Sequence, residues 1–303
     1  MARTRGAKVM AREWTILAAL GTVLVFSGTP ATASVANGSD SGAMTASGPL
    51  SVAERNGLDE LLERSGLRVQ LESLSAGVRI QFLRGQGRIS SQDRATIDRI
   101  ASTNFDADAI YSRIKVEFER NLDAGKLADA LAWYRSPLGK RITGLELMAL
   151  AFENGWDSAV SIERKQASQH RIALVERLDA SGGASETTVD VTLFIVRSLT
   201  RAFQPVLPAA ARVSNVQLDD QIARARSRTL EQIRGACLVS MLLAYRSLTN
   251  QELSEYVQFV ESEAGQWYMS LMNSALLAAV DVAATATARE LATAVPQVVG
   301  DHR

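Results

Sequence analysis

Apolar residues recur at helical spacing along most of the chain from Leu58 onward. A stripe at offsets 0, 4, 7 and 11 is typical of one buried face of a helix, and it is formed by Leu67, Leu71, Leu74 and Val78. No run of alternating apolar and polar residues is bounded by hairpin-type turn signals. The pattern therefore predicts an all-α fold.

Further helices are predicted by the same spacing and by their end signals. The segment Asp106–Asn121 carries apolar residues at every fourth position, and Ser90 or Ser91 is a suitable N-cap for a short helix before it. A charged helix is predicted from about Ser158 to Asp179, where Gly182 and Gly183 supply a stop signal.

Two further helices are predicted between residues 189 and 246. Residues 189–203 contain β-branched side chains, so a strand is conceivable there. Fifteen residues is long for a strand, however, and Pro205 and Pro208 end the segment as they would end a helix. A long helix from about Val216 to Arg246 follows.

The first 33 residues have the layout of a secretory signal peptide. A basic head is followed by an apolar run, Trp14–Phe26, and small residues Ala31 and Ala33 precede the predicted cleavage point. Thirteen apolar residues would rise only about 20 Å as a helix, too short for a hydrocarbon core of about 30 Å. The basic head consists of Arg3, Arg5, Lys8 and Arg12.

Export predicts a mature chain that begins at Ser34, with a periplasmic location. Residues 34–50 are small and polar without periodic apolar positions, which is typical of a flexible leader. Near the other end, the apolar run Leu271–Ala288 contains Asp281 close to its middle, so we predict a core helix or a docking face there and no membrane span in the mature chain.

Two segments 126 residues apart share one apolar phase and one set of landmarks. The matching apolar positions begin at Leu127 in the first segment and at Leu253 in the second. The shared landmarks are an aromatic residue, a serine three positions later and a glycine three positions after that: Trp133, Ser136 and Gly139 in the first segment, Phe259, Ser262 and Gly265 in the second. This agreement predicts an internal duplication.

The serine and glycine landmarks indicate a corner between two helices. Ser136 is a suitable N-cap, and Pro137 fits the first helical position because its missing N–H has no partner to lose there. A glycine one turn later costs about 1 kcal/mol relative to alanine, which close packing of another backbone would offset. Glu263 replaces the proline in the second segment, so we expect the helix to continue there.

The duplication divides the mature chain into two related helical units. We predict unit 1 at residues 51–154 and unit 2 at residues 158–295, followed by a tail at 296–303. Each unit ends in a helix, a corner and a second helix. In the second copy Thr249 and Glu252 form the pattern of a capping box at the start of the first of these helices.

The first corner resembles a known family. The run Trp133-Tyr134-Arg135-Ser136-Pro137-Leu138-Gly139-Lys140, together with the amphipathic helix before it, is similar to the secreted bacterial family catalogued as domain of unknown function 2059. The resemblance implies an exported, all-helical protein of a family without an established activity, and it implies no catalytic residues. The second corner keeps three landmarks of the motif and has Val260, Glu263 and Gln266 at the Tyr, Pro and Lys positions.

Charge and composition exclude several classes of function. The chain carries 33 basic and 33 acidic residues, and removal of four basic residues and Glu13 with the signal peptide leaves a net charge of −3. This balance provides no field for nucleic acid. A single cysteine and two histidines argue against a disulfide framework and a histidine-rich metal site, and no cofactor motif is present.

The patterns around His170 and Cys237 do not indicate a catalytic role. The residues around His170 do not identify a nucleophile or an orienting group for a general base. We therefore expect a surface histidine. Cys237 lies on an apolar stripe with Ile233 and Met241 four residues to either side, which predicts a buried and unreactive thiol.

Three functional hypotheses follow. The first is a non-enzymatic module that binds an unidentified protein or an apolar small molecule between its two units. The second is a hydrolase that uses Ser136 or Ser262 with His170 or a carboxylate as base. The third is a purely structural envelope protein without a concave surface.

Overall fold

The computed structural model of the chain describes residues 50–84, 91–151, 167–203 and 212–294. Within these ranges all regular structure is helical and no strand is present, so the predicted all-α class is confirmed. The predicted signal peptide, the predicted leader apart from Leu50, and the predicted tail lie outside the described residues.

Helices α1–α6 form the first half of the described fold, and helices α7–α11 form the second half. Their bounds are α1 Val52–Arg64, α2 Leu67–Arg84, α3 Ser91–Asn104, α4 Ala107–Arg120, α5 Ala124–Arg135, α6 Pro137–Ala151, α7 Gln169–Gly182, α8 Ala184–Phe203, α9 Asn215–Ala244, α10 Asn250–Glu261 and α11 Glu263–Ala294.

Most predicted helix ends agree with the structure because they depend on local side-chain caps. Asp106 accepts a hydrogen bond from the Ala109 N–H and starts α4, while Thr249 and Glu252 form the predicted capping box of α10. The region of residues 189–203 belongs to α8, so the helical alternative is correct there.

The prediction of one continuous helix from about Ser158 to Asp179 is wrong, because the chain is not helical at Ser168. Ser168 has an extended backbone, and its hydroxyl accepts a hydrogen bond from the Arg171 N–H, so the helix begins at Gln169. The predicted residues before 167 lie outside the described ranges. The predicted end is correct, since Gly183 adopts the left-handed conformation with φ of 66° and caps the helix.

The two halves share an order of helices. In the first half, α1 turns into α2 at Gly66, which has φ of 72°, and in the second half α7 turns into α8 at Gly183. Helix α1 packs on α5, and α7 packs on α10. Helix α2 packs on α3 and α4, while α8 packs on the single long helix α9.

Helix α11 joins the halves into one core. Its 32 residues span about 48 Å, and it packs against α3, α4 and α5 as well as α7, α8 and α10. One hydrophobic cluster extends through both halves and includes Phe118, Tyr134, Val257 and Met272. Among the described helices, α11 alone is long and apolar enough to cross a membrane by length and composition, and half of its most apolar window is buried inside the bundle. In this fold it is therefore a core helix.

Candidate functional site

The two predicted corners have the same local geometry. Helix α5 ends at Arg135 and α6 begins at Pro137, with Ser136 extended between them (φ −64°, ψ 155°). Helix α10 ends at Glu261 and α11 begins at Glu263, with Ser262 equally extended (φ −69°, ψ 162°). The expectation that the second helix continues is therefore wrong, because a capping serine forms the corner without proline.

Each corner serine caps the helix that follows it. The Gly139 N–H donates to the Ser136 Oγ at 2.9 Å, and the Gly265 N–H donates to the Ser262 Oγ at 3.1 Å. The Ser262 hydroxyl also donates to the carbonyl of Phe259 at 2.7 Å. These bonds satisfy backbone groups at helix ends. Among the described residues, the hydrogen-bond partners of both hydroxyls are backbone groups.

Each corner glycine permits a close backbone approach. A Cβ at Gly139 would lie 2.2 Å from the carbonyl oxygen of Trp133, and a Cβ at Gly265 would lie 2.0 Å from the carbonyl oxygen of Phe259. The approaching backbone is thus the end of the preceding helix. Any side chain would force the two helices of the corner apart.

Aromatic side chains of the two corners stack on each other at the junction between the halves. The Trp133 ring lies parallel to Phe259 (centroids 4.5 Å apart) and to Tyr256 (5.9 Å). Tyr134 contacts Phe259 and Tyr268 edge-on. Residues of the sequence motif therefore pack the junction and do not line a cleft.

A salt bridge recurs beside the two corners with its charges exchanged. Arg135 on α5 donates from Nε to the Glu60 Oε1 on α1 at 2.9 Å, whereas Arg177 on α7 donates from Nη2 to the Glu261 Oε2 on α10 at 2.7 Å. Hydrogen bonds from Arg135 and Arg64 lower the pKa of Glu60 to about 2.

A buried carboxyl group lies close to the aromatic junction. Glu146 on α6 is 9% exposed, and its Oε1 accepts hydrogen bonds from the hydroxyls of Tyr245 at 2.7 Å and Tyr256 at 2.8 Å. Burial raises the pKa of Glu146 to about 7, although both hydroxyl donors oppose that change. Burial also raises the pKa values of Tyr134 and Tyr268, whose rings contact each other at the same junction.

Sequence reasoning missed Glu146. Its partners are 99 and 110 residues away along the chain, so no local spacing indicates them. One signal was present: a single acid between Leu145 and Leu147, one turn after the buried Ile142, stands on an otherwise apolar stripe.

A shallow groove lies between α4 of the first half and α11 of the second half. Its volume is about 360 Å³. Its apolar surface consists of alanine and valine side chains: Ala275, Ala278, Ala279, Val116 and Val282. Its polar side is formed by four residues of α4: Ser112, Arg113, Glu117 and Arg120. No methionine or aromatic side chain is among these lining residues.

A second cleft of about 420 Å³ lies between α7, α8 and α9. At its base the Asp179 carboxylate accepts bonds from the Ser185 N–H (2.9 Å) and hydroxyl (2.7 Å), which caps the start of α8. Arg234 pairs there with Glu186 and Glu231. Its polar groups thus bond mainly to one another.

The two reactive residues singled out from the sequence lie apart from these features. Cys237 is fully buried among Val189, Leu193 and Ile233, and burial raises the pKa of its thiol to about 11, as expected for an unreactive cysteine. His170 is exposed in the first turn of α7. Within the described ranges, no three His, Cys, Asp or Glu side chains are grouped to hold a metal ion.

The fold and junction define an all-α bundle with two corners of the same geometry. Comparison of the chain with protein-family models, with curated proteins and with solved structures finds no match. Functional inference therefore depends on the residues and geometry described above.

Proposed function

We propose that this is an exported, internally duplicated helical protein that binds a long-chain carboxylate in the groove between α4 and α11. The observation that carries the proposal is the groove itself, since it is concave, largely apolar and formed by both halves of the fold. Its volume of about 360 Å³ falls within the range of about 300–1,000 Å³ that small-molecule sites occupy.

The groove has a floor suited to an alkyl chain. Ala275 and Ala279 are buried at its base, and the small side chain of Ala278 leaves its upper part open. Val116 and Val282 are 39% and 44% exposed on the two helices that line the groove. A bound alkyl chain that covered both valines would remove apolar surface from water.

The polar side of the groove suits an anionic head group. Arg120 is paired with Glu117 at 2.7 Å, whereas the exposed Arg113 has no salt bridge within the described part of the chain. A guanidinium group binds a carboxylate through two parallel hydrogen bonds. An apolar chain with one carboxylate therefore complements the groove better than an uncharged apolar molecule.

The two other hypotheses are less well supported. A hydrolase would need a serine next to a base, but the Ser136 and Ser262 hydroxyls accept bonds from backbone N–H groups of their corners. A purely structural role predicts no concave surface, whereas the groove is present.

The duplication is part of the proposal, and three observations support it. The corners are alike in geometry, the helix order Gly66–α2 recurs as Gly183–α8, and the salt bridge beside each corner joins corresponding helices. Export is proposed from the signal-peptide layout of residues 1–33, and the resemblance to domain of unknown function 2059 is consistent with it.

Calorimetric titration with dodecanoate below its micelle concentration tests the binding. The protein without residues 1–33 retains every described helix, and we expect saturable binding at one site. Ala278→Trp fills the groove and should abolish the heat of binding, whereas Ala76→Trp on the exposed face of α2 should leave it unchanged.

A second experiment tests whether the anionic head group contributes to binding. Arg113→Gln should weaken dodecanoate binding about fivefold, the effect of one exposed ion pair, while the matched Arg94→Gln on α3 should not. Dodecyltrimethylammonium should bind more weakly than dodecanoate. Absence of binding, or binding that Ala278→Trp does not change, would refute the proposal.

A further inference from the structure

Glu146 connects helices that are distant in sequence. Its carboxyl group is on α6, near the end of the first half, whereas Tyr245 follows α9 and Tyr256 is on α10. The two tyrosines are 0% and 3% exposed, so both hydroxyl bonds to Glu146 lie inside the bundle.

The tyrosine hydroxyls are positioned for this carboxyl group by packing. Tyr245 and Tyr256 contact each other edge-on with ring centroids 5.9 Å apart, and Tyr256 also stacks on Trp133. The hydrogen bonds are therefore held by the same aromatic junction that joins the halves.

No cation compensates a charge on Glu146 among the described residues. Arg141 on α6 pairs with Glu252 and donates to the Ser247 carbonyl. Arg171 on α7 donates to the carbonyls of Tyr245 and Leu248 and to the side chain of Asn250.

The remaining titratable groups that influence Glu146 are tyrosines. Burial raises the pKa values of Tyr134 on α5 and Tyr268 on α11, and the nearby charge of Glu146 adds a smaller increase to both. An ionised Glu146 would thus be a buried charge held by two neutral hydroxyl groups, which is a costly arrangement.

We infer that Glu146, Tyr245 and Tyr256 form a proton-dependent clasp that holds α6 against α9 and α10 while the carboxyl group is neutral and loosens when it ionises. The inference does not depend on the proposed ligand, because the clasp and the groove use different residues.

The pH range of the clasp follows from the burial of Glu146. Burial raises its pKa from 4.5 to about 7, so between these values the folded chain binds a proton that the unfolded chain has released. The stabilisation is complete below pH 4.5, decreases as pH rises, and is absent above pH 7. Hydrogen-bonded carboxylates such as Glu60 and Glu252 have lowered pKa values and titrate below this window.

Chemical denaturation at pH values from 5 to 8 tests the clasp. The equilibrium constant for unfolding should rise by about seventyfold between pH 5 and pH 8, and Glu146→Gln should remove the dependence because its amide remains neutral. Glu252→Gln, at a half-buried carboxylate on α10 that pairs with Arg141, is the control and should keep the dependence.

Hydrogen exchange separates a clasp from a general loss of stability. After correction for intrinsic exchange rates, protection in α6 and in residues 241–256 should fall first as pH rises, while protection in α3 should stay constant. If Glu146→Gln fails to fold, Tyr256→Phe provides a second test: loss of one donor should move the transition to higher pH. A wild-type protein with pH-independent unfolding between 5 and 8, or a Glu146→Gln variant with the wild-type dependence, would overturn the inference.

Discussion

Trp133 and Phe259 occupy the same position in two helices 126 residues apart, and their rings stack on each other at 4.5 Å with planes 7° apart. Each residue lies three positions before the capping serine of its own corner. The motif residue of one half thus packs against its counterpart in the other half. Equivalent positions of the two sequence segments therefore lie face to face at the junction of the halves.

The stack should contribute a measurable coupling energy. In a double-mutant cycle with Trp133→Leu and Phe259→Leu, we expect about 1 kcal/mol of coupling in the free energy of unfolding, because aromatic pairs stabilise beyond their buried area. The pair Trp133→Leu and Tyr111→Leu is the control and should be additive within about 0.5 kcal/mol. Additivity of the first pair would show that the stack is incidental.

The corner glycines should not tolerate alanine. Gly139→Ala and Gly265→Ala should each destabilise the fold by about 2–3 kcal/mol, because the new Cβ would overlap a backbone carbonyl of the preceding helix. Gly144→Ala and Gly235→Ala are matched controls, since nothing lies within 4 Å of their added Cβ atoms.

These controls should stabilise their helices by up to about 1 kcal/mol, the difference in helix propensity. Thermal or urea unfolding of the four variants provides the measurement. Equal effects at all four positions would contradict the proposed corner packing.

The exchanged salt bridges predict that one can be converted into the other. Under the proposed duplication, the hydrogen-bonded set Glu60, Arg64 and Arg135 in the first half would correspond to Arg177, Ser181 and Glu261 in the second. Arg135→Glu alone should lower the free energy of unfolding, because it places two carboxylates together.

The triple variant Glu60→Arg, Arg64→Ser and Arg135→Glu reproduces the arrangement of the second half. We expect it to recover the free energy of unfolding of the wild type, as measured by urea unfolding. A triple variant no more stable than Arg135→Glu would argue against the correspondence of these helices.

The signal-peptide prediction is tested by the N-terminus of the exported protein. Mass spectrometry of the protein recovered from the periplasm should give Ser34 as the first residue. Ala33→Leu should block processing, since signal peptidase requires a small residue there, and Ala36→Leu should not. Recovery of an unprocessed chain from the periplasm would contradict the prediction.

The sequence predicted those parts of the fold that depend on neighbouring residues. Caps such as Asp106 and Thr249 act within one turn, so the ends of α4 and α10 follow from local pattern. The break at Ser262 was missed because no proline marks it, and the start of α7 was missed because charged residues before Ser168 continue the helical pattern.

The site was less predictable for a physical reason. Glu146 bonds to residues that only tertiary packing brings to it, and the groove combines α4 with α11, which are far apart in the chain. The residue types in the groove, mostly alanine and valine, carry no distinctive chemistry in the sequence. Their concave arrangement is a property of the fold.

The most direct test of the proposed function is to locate a bound fatty acid by photo-crosslinking. A long-chain fatty acid with a diazirine on its alkyl chain, irradiated in complex with the protein, should label residues within 112–120 and 275–282 and should lose this labelling in Ala278→Trp. Labelling confined to other helices, or an unchanged pattern in Ala278→Trp, would contradict the assignment of the groove as the binding site.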